Sequence, residues 1–358
     1  MTSPAAGCYG AHLVRLRSST LPRLGVVLLV SSACAFDLDV GAPNYIDHAR
    51  VLGIRVQAVE LAPIWPERVG FDPDDAPIVE ALPGDRVRLA SILVDAEGQA
   101  LAAADYDAIW WQCEADSCAA DLPRCDEIEW TSDSACELGR GGQFEFIAPP
   151  PGPGLADHIG LMGIVAHDPE ADAESCRQGL LDGTTALSKC TIILGAAPLG
   201  PRWAMLYDAA QSGLEVDIPL TEIPWAAFEQ PANRAPAPAP PSFIDDATGV
   251  MLEGTPPRVR AGQRVISQGP QWRLADVQPF VVAKEVVEFE SYVFIASAEG
   301  LGIEWFSSGP LHAFQAKHGG VVIDVDAFAD PGLARVVAVF GDSRLALDFR
   351  VYELEVVP

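Results

Sequence analysis

Cysteine is the residue type here best suited to covalent chemistry, because its thiol can form a disulfide, bind a metal ion or carry a lipid. Eight cysteines occur in the 358 residues, and six of them lie in the middle of the chain: Cys113, Cys118, Cys125, Cys136, Cys176 and Cys190. Their spacing contains no C-x-x-C pair, which disfavours zinc-binding and thioredoxin-like sites. In an oxidising compartment the six predict up to three disulfides, and fifteen pairings remain open.

Carboxylates are the second group able to do chemistry, because hard cations bind oxygen ligands. Asp168, Glu170 and Asp172 have the spacing that opens an EF-hand calcium loop. The sixth position of that loop is Ala173 and the twelfth is Gly179, so the turn glycine and the bidentate glutamate are both missing. These three acids are therefore weak calcium candidates, and we expect neither a metal site nor a cofactor.

Sequence signatures of catalysis are missing from the chain. It contains no H-E-x-x-H zinc motif, no G-x-S-x-G nucleophile elbow, no phosphate-binding glycine loop and no dinucleotide fingerprint. We therefore predict no catalytic residue.

The cysteine nearest the start, Cys34, ends a short apolar run in the sequence VVLLVSSACAFDLDV. Arginines precede the apolar residues 24–30, and small residues 31–33 follow them, which is the pattern of an export signal. The run is too short to cross a membrane as a helix, which takes about 20 residues. Residues 1–33 are thus predicted to be a signal peptide.

The pair Ala33-Cys34 resembles the end of the lipobox of bacterial lipoproteins, although Ser31 stands where that family usually has Leu. The resemblance implies that Cys34 becomes the lipidated first residue of the mature protein. Ala35, in place of Asp, implies delivery to the outer membrane, on either its periplasmic or its surface face. The alternative is ordinary cleavage after Ala35, since Ala33-Cys34-Ala35 also fits an A-x-A site, and the protein would then be secreted.

The net charge indicates which classes of partner the chain can bind. The chain has 50 acidic and 23 basic residues, for a formal charge of −27. Such a surface repels phosphate backbones, whose binding requires Lys and Arg. We therefore exclude nucleic acid and expect the membrane, through the lipid anchor, and an unknown protein or glycan ligand as partners.

Period-two alternation of apolar residues predicts a mainly all-β fold. The expected strands of the first half are residues 52–58, 86–94, 106–113, 143–147, 159–166, 191–194 and 215–218, with a short helix around residues 173–189. Trp111 is expected to fill the gap between two sheets beside a disulfide, as a tryptophan does in immunoglobulin-like sandwiches. The polar stretch from Cys113 to Cys136 predicts a disulfide-stapled insertion.

Composition divides the chain into five segments. Residues 34–48 are predicted to be the lipidated cysteine and a tether, and residues 49–229 an immunoglobulin-like β-sandwich with the cysteine-rich insertion. Residues 230–242 are rich in proline and predict a semi-rigid spacer of roughly 35 Å. Residues 243–358 predict a second sandwich of the same kind, ending in a hairpin around Gly341-Asp342-Ser343.

The lipobox-like pair and the W-x-C strand together resemble the uncharacterised myxobacterial-type lipoproteins with immunoglobulin-like or PKD-like modules. That resemblance implies surface display and transfers no activity. We therefore expect a membrane-anchored cell-envelope lipoprotein that acts as a non-enzymatic binding or structural module. The alternative is a cell-surface hydrolase of glycans or peptides using loop carboxylates, which would require two convergent acids in a pocket, one of them with a raised pKa.

Overall fold

The computed structural model describes residues 44–62, 77–113, 137–148, 158–168, 170–181, 189–200, 213, 232–268, 279–286, 291–298, 300–315 and 320–358. Strands dominate these ranges, together with the single helix α1 (Ala173–Leu181), which confirms a mainly all-β fold. The strands before residue 200 are β1 (Tyr45–Ile46), β2 (Arg50–Glu60), β3 (Arg86–Val94), β4 (Asp107–Cys113), β5 (Glu137–Arg140), β6 (Gln143–Ile147), β7 (His158–Ala166) and β8 (Cys190–Pro198).

The strands of the second half follow residue 240. They are β9 (Ser242–Asp245), β10 (Arg258–Arg260), β11 (Arg264–Gln268), β12 (Pro279–Val286), β13 (Ser291–Ala298), β14 (Leu301–Ser308), β15 (Leu311–Gln315), β16 (Val321–Val325), β17 (Gly332–Asp342) and β18 (Leu347–Val357). β17 and β18 form the predicted hairpin, with its turn at residues 343–346.

The first unit consists of β2 to β8 and α1, arranged as two facing sheets. One sheet has the order β2-β3-β6 and the other the order β5-β4-β7-β8, and all neighbours are antiparallel. Alternate residues of β3, such as Val87 and Leu89, point into the space between the sheets and are fully buried there. Four strands have close to their predicted bounds, 86–94, 106–113, 143–147 and 159–166, whereas residues 215–218 lie outside the described residues.

The prediction that Trp111 fills the gap between the two sheets is wrong by one residue. Trp110 fills the space between the two sheets, where its indole Nε1 donates to the Gly141 carbonyl at 3.0 Å. The ring presses on Gly163 of β7, where an added Cβ would lie 2.7 Å from it. Trp111 points to the opposite face, because adjacent strand residues alternate, and packs there beneath α1.

The second unit consists of the sheet β1-β14-β17-β18-β10, called here the central sheet, and the facing sheet β15-β16-β11-β9. Trp305, Phe340 and Val336 of the central sheet are fully buried against the facing sheet. β12 and β13 form a separate antiparallel pair. Each unit thus encloses an apolar cluster that contains a buried tryptophan.

The first described residues belong to the second unit and not to the first. β1 pairs in parallel with β14, Tyr45 lying opposite Ser307, and the Asn44 carbonyl accepts a hydrogen bond from the Ser307 amide at 3.0 Å. The Tyr45 hydroxyl donates to the Gly309 carbonyl at 2.7 Å. The tether predicted over residues 34–48 is therefore part of the sheet from Asn44 onwards.

The outer face of the central sheet packs against the first unit. Val337, Val339 and Phe306 of this face lie in one apolar cluster with Val94 and the partly buried Leu52 of the first unit. The turn after β3 completes the contact: the Ser308 hydroxyl donates to the Glu97 carbonyl at 2.7 Å, and Gly98, at φ +74°, leaves no room for a Cβ beside Ser308. The central sheet is thus buried on both faces.

The predicted proline-rich spacer does not hold the units apart. Ala232 and Ala235 are buried, and they pack against Ile78 and Val79 respectively. The Asn233 carbonyl accepts a hydrogen bond from the Val79 amide at 2.9 Å. Residues 232–235 therefore join the two units in direct contact, because their small side chains allow the backbone to approach the first unit closely.

Candidate functional site

A groove of about 750 Å³ lies where the two units meet. Gln99 and Ala100, from the turn after β3, form its wall on the side of the first unit. The second unit supplies the remaining lining: Pro241, Phe243, Thr255, Pro256, Pro257, Arg335, Val351, Tyr352 and Glu353. Because both units contribute, the groove exists only while the central sheet holds them together.

Two aromatic residues, Phe243 and Tyr352, line the base of the groove. Tyr352 of β18 meets Phe243 edge-on, with ring centroids 6.1 Å apart, and lies 5.9 Å from the ring of Trp305. Its hydroxyl is buried and has no hydrogen-bond partner among the described residues. Burial raises the pKa of Tyr352 to about 12, so the group is a neutral phenol.

Polar groups flank these rings. Arg335 of β17 donates from Nε and from an Nη to the same Glu353 oxygen, at 3.2 and 3.1 Å, and a second Nη donates to the Glu97 carbonyl at 3.4 Å. The guanidinium thereby ties the first unit to the second at the edge of the groove. Gln99 and Thr255 are exposed at the rim, where their amide and hydroxyl groups are accessible. An aromatic base with a polar rim suits a ligand that has both an apolar face and hydrogen-bonding groups.

A buried polar cluster joins the units at the opposite end of β17. We call Glu80, Asn233, Asp342 and Arg344 the polar clamp. Glu80 Oε2 accepts from the Asn233 amide at 2.9 Å and from the Arg344 guanidinium at 2.5 Å. Asp342 accepts from the Asn233 side-chain amide at 3.0 Å and from the amides of Arg344 and Ala346 at 2.7 and 3.0 Å. The cluster therefore connects the first unit, the proline-rich segment and the β17–β18 turn.

The acids of the polar clamp are held in place by hydrogen bonds from the protein. Burial raises the pKa of Asp342, because its charged form is removed from water. Both carboxylates nevertheless accept hydrogen bonds from protein N–H groups, and Glu80 and Asn233 are buried. The Asn233 Oδ1 atom is buried without a partner among the described residues. The residues of the polar clamp are thus placed to hold the two units together.

The predicted cysteines fall into two groups in the structure. Cys176 of α1 and Cys190 of β8 form a disulfide with their Cα atoms 5.8 Å apart, so two of the six candidates are bonded to each other. It packs against Trp111 on the outer face of the first unit and does not join the two sheets. Cys113 ends β4. The remaining candidates lie outside the described residues: Cys34, Cys118, Cys125 and Cys136.

The weak calcium candidates lie around the start of α1. Asp172 accepts from the Ser175 amide at 2.7 Å and from its hydroxyl at 2.8 Å, which is the geometry of a helix N-cap. Asp168 accepts from the Glu170 amide at 2.8 Å and lies 3.3 Å from Lys189 Nζ. These hydrogen bonds lower the pKa of both carboxyls. Across the described ranges, His, Cys, Asp and Glu do not gather in any group of three or more suited to a metal ion.

Sequence reasoning missed the groove and the polar clamp. Glu80 interrupts an apolar stretch, and Asn233 interrupts a run of Ala and Pro. A polar residue within an apolar stretch is often buried and hydrogen-bonded, and this was the only indication of the polar clamp in the sequence. Nothing in the sequence relates either residue to Asp342, more than 100 positions later.

Comparison with known proteins leaves the site to be interpreted from its own chemistry. No family model matches the chain, and no curated protein matches it. Among the described residues, no helix combines the length and the apolar character needed to cross a membrane.

The raised pKa of Asp342 predicts an unusual pH dependence of stability. In the interval between the pKa of the unfolded chain, about 3.9, and the raised pKa, the folded state binds more protons than the unfolded state. The free energy of unfolding that is due to this group therefore falls as the pH rises. We expect the difference in unfolding free energy, wild type minus Asp342→Asn, to decrease as the pH rises above about 4 in urea titrations.

Asp324→Asn is the matched control, because Arg264 lowers the pKa of Asp324. The stabilisation from that pair is present above the unfolded pKa and is lost as the pH falls through the lowered pKa. The corresponding difference for Asp324→Asn should therefore increase with pH. A difference that is independent of pH for Asp342→Asn would contradict the buried, ionisable role assigned to this carboxyl.

Proposed function

We propose that this chain is a membrane-anchored lipoprotein of the cell envelope that acts as a non-enzymatic binding module. The observation that carries the proposal is the groove, which both units line and whose aromatic base and polar rim can hold a protein or glycan ligand. The lipid on Cys34 would hold this groove at the outer membrane, in the periplasm or at the cell surface. Release as a secreted protein after Ala35 is the alternative.

We further propose that the two units are immunoglobulin-like sandwiches in tandem, as in the myxobacterial-type lipoproteins that the sequence resembles. Two facing sheets around a buried tryptophan, Trp110 in the first unit and Trp305 in the second, support this proposal. Modules of this type commonly bind through loops at their ends or at the junctions between them. The turn that carries Gln99 and the loop that carries Thr255 occupy such positions.

A surface hydrolase is the alternative activity, and it would need convergent acids that a substrate can reach. In the described part of the chain, Asp342 is the acid with a raised pKa, and it lies within the polar clamp. Glu353, the acid that lines the groove, is paired with Arg335. This separation of the raised pKa from the groove favours binding over hydrolysis.

Lipid attachment is tested by metabolic labelling with tagged palmitate. We expect the wild-type protein to be labelled and to sediment with membranes, because the thioether at Cys34 carries the acyl chains. Cys34→Ser removes the acceptor sulfur and should abolish the label. Equal labelling of the two proteins, with the wild type free in the culture fluid, would refute the anchor.

Binding in the groove is tested by a photocrosslinking amino acid in place of Gln99 in living cells. We expect Gln99 to crosslink to an envelope protein or glycan, because its side chain is exposed at the groove rim. Ile147 is the matched control, since it is also exposed but lies on β6, far from the groove. Crosslinking of equal yield at both positions would show that the groove has no special role.

A further inference from the structure

We propose that one end of the second unit inserts into the membrane surface. This apolar end is defined by strand β1 and by the turns at residues 246–250, 309–310 and 326–331. The inference rests on the proposed lipidation of Cys34, and it adds how the anchored protein is oriented. The juxtaposition that carries it is a set of exposed apolar side chains beside the point where the chain leaves towards its lipid.

Strand register places these turns together. Leu311 lies opposite Val325, and Arg264 lies opposite Asp324, so β15, β16 and β11 share one end of the facing sheet. The Asp326 amide donates to the Pro310 carbonyl at 2.9 Å, which joins the turn at 309–310 to the turn at 326–331. The Asp246 amide donates to the Arg264 carbonyl at 3.0 Å, which adds the turn at 246–250.

The N-terminal strand arrives at the same end. Ile46 lies opposite Ser308, and the Tyr45 hydroxyl reaches the Gly309 carbonyl. The Tyr45 ring stacks on His312 with centroids 5.4 Å apart. The chain enters the described structure at Asn44, one residue before the pair Tyr45–Ser307, and so about three strand positions, or roughly 10 Å, from the turn at 309–310.

Large apolar side chains are exposed at this end. Phe328, in the turn at 326–331, is 97% exposed, and Val250 is 61% exposed. Leu333, the second residue of β17, is 55% exposed. Neither Phe328 nor Val250 belongs to the apolar clusters of the two units. Burial of such side chains in the bilayer interface is favourable, at about 25 cal/mol per Å² of apolar area.

The length of the chain before β1 identifies the membrane as the occupant of this surface. Nine residues separate Cys34 from Asn44. Even fully extended, at about 3.3–3.6 Å per residue, they span at most about 35 Å. The apolar end is the nearer end of the central sheet to this segment, since about three positions of β14 separate Asn44 from the turn at 309–310 and about five separate it from Leu301.

The charges of the apolar end suit zwitterionic and not anionic headgroups, because its turns also carry the acidic residues Asp246 and Asp330. Arg264 pairs with Asp324 at 2.6 Å, and His312 lies 3.5 Å from Asp326. Phe328, between Asp326 and Asp330, is the most exposed large apolar side chain of the described residues. Vesicles of phosphatidylcholine and phosphatidylethanolamine are therefore the appropriate probe.

The test uses the full lipidated protein, purified from its membranes and reconstituted into these vesicles with nitroxide-labelled lipid. A fluorescent amino acid replaces either Phe328 or Ile147, which is 57% exposed on the first unit. Since Ile147 lies opposite Arg86, at the far end of β3 from Val94, it reports a site remote from the apolar end. We expect quenching at position 328 to exceed that at position 147 by roughly threefold, as for a side chain about 5–10 Å into the interface.

Each result bears on a different part of the account. Flotation of the wild type but not of Cys34→Ser, together with equal quenching at the two positions, would overturn the orientation and leave the anchor intact. If the wild type does not float with the vesicles, both proposals fail. If position 328 is shielded only in native envelopes and crosslinks there to a protein, the apolar end binds a protein partner and the membrane assignment is wrong.

Discussion

The arrangement of the two units depends on the burial of the central sheet on both faces. β17 shows why, since Val336 and Phe340 point into the second unit while Val337 and Val339 point towards the first. A sheet that is apolar on both faces must be shielded from water on both. The facing sheet covers one face of the central sheet, and the first unit covers the other. Each fully buried valine contributes roughly 1.5–3 kcal/mol relative to an exposed one, so this contact is a substantial part of the stability.

The other features follow from this contact. The groove lies between the turn after β3 and the central sheet, and Arg335 bridges the two units at its edge. At the other end of β17, the polar clamp fixes the β17–β18 turn to the first unit, where Glu80 and Arg344 are both buried. Pairing of β1 with β14 brings the N-terminal segment to the second unit although it precedes the first unit in the chain.

The local sequence pattern predicted the strands but did not predict the long-range contacts. Val87 and Leu89 alternate with charged or polar neighbours, so residues 86–94 were recognisable as a strand. The two adjacent tryptophans, 110 and 111, are both buried, one on each face, and alternation then cannot tell which of them faces the other sheet. β1 has two residues and therefore has no period to detect.

The amino-acid composition of a segment predicted its backbone conformation but not the residues that it contacts. Proline predicted an extended segment at 230–242, yet its small alanines let residues 232–235 pack against the first unit. The spacing of Asp168, Glu170 and Asp172 imitated a calcium loop, whereas Asp172 and Ser175 form a helix cap, an interpretation that the same letters allow. The groove joins residues about 250 positions apart, such as Gln99 and Tyr352, and no local pattern encodes that pairing.

The most direct test of the doubly buried sheet is hydrogen exchange of the mature protein across a urea series. Because the two units share the central sheet, we predict that the amides of β4 and β7 in the first unit lose protection at the same urea concentration as those of β14 and β17 in the second. Two separate midpoints, with one unit open while the other stays protected, would contradict the account.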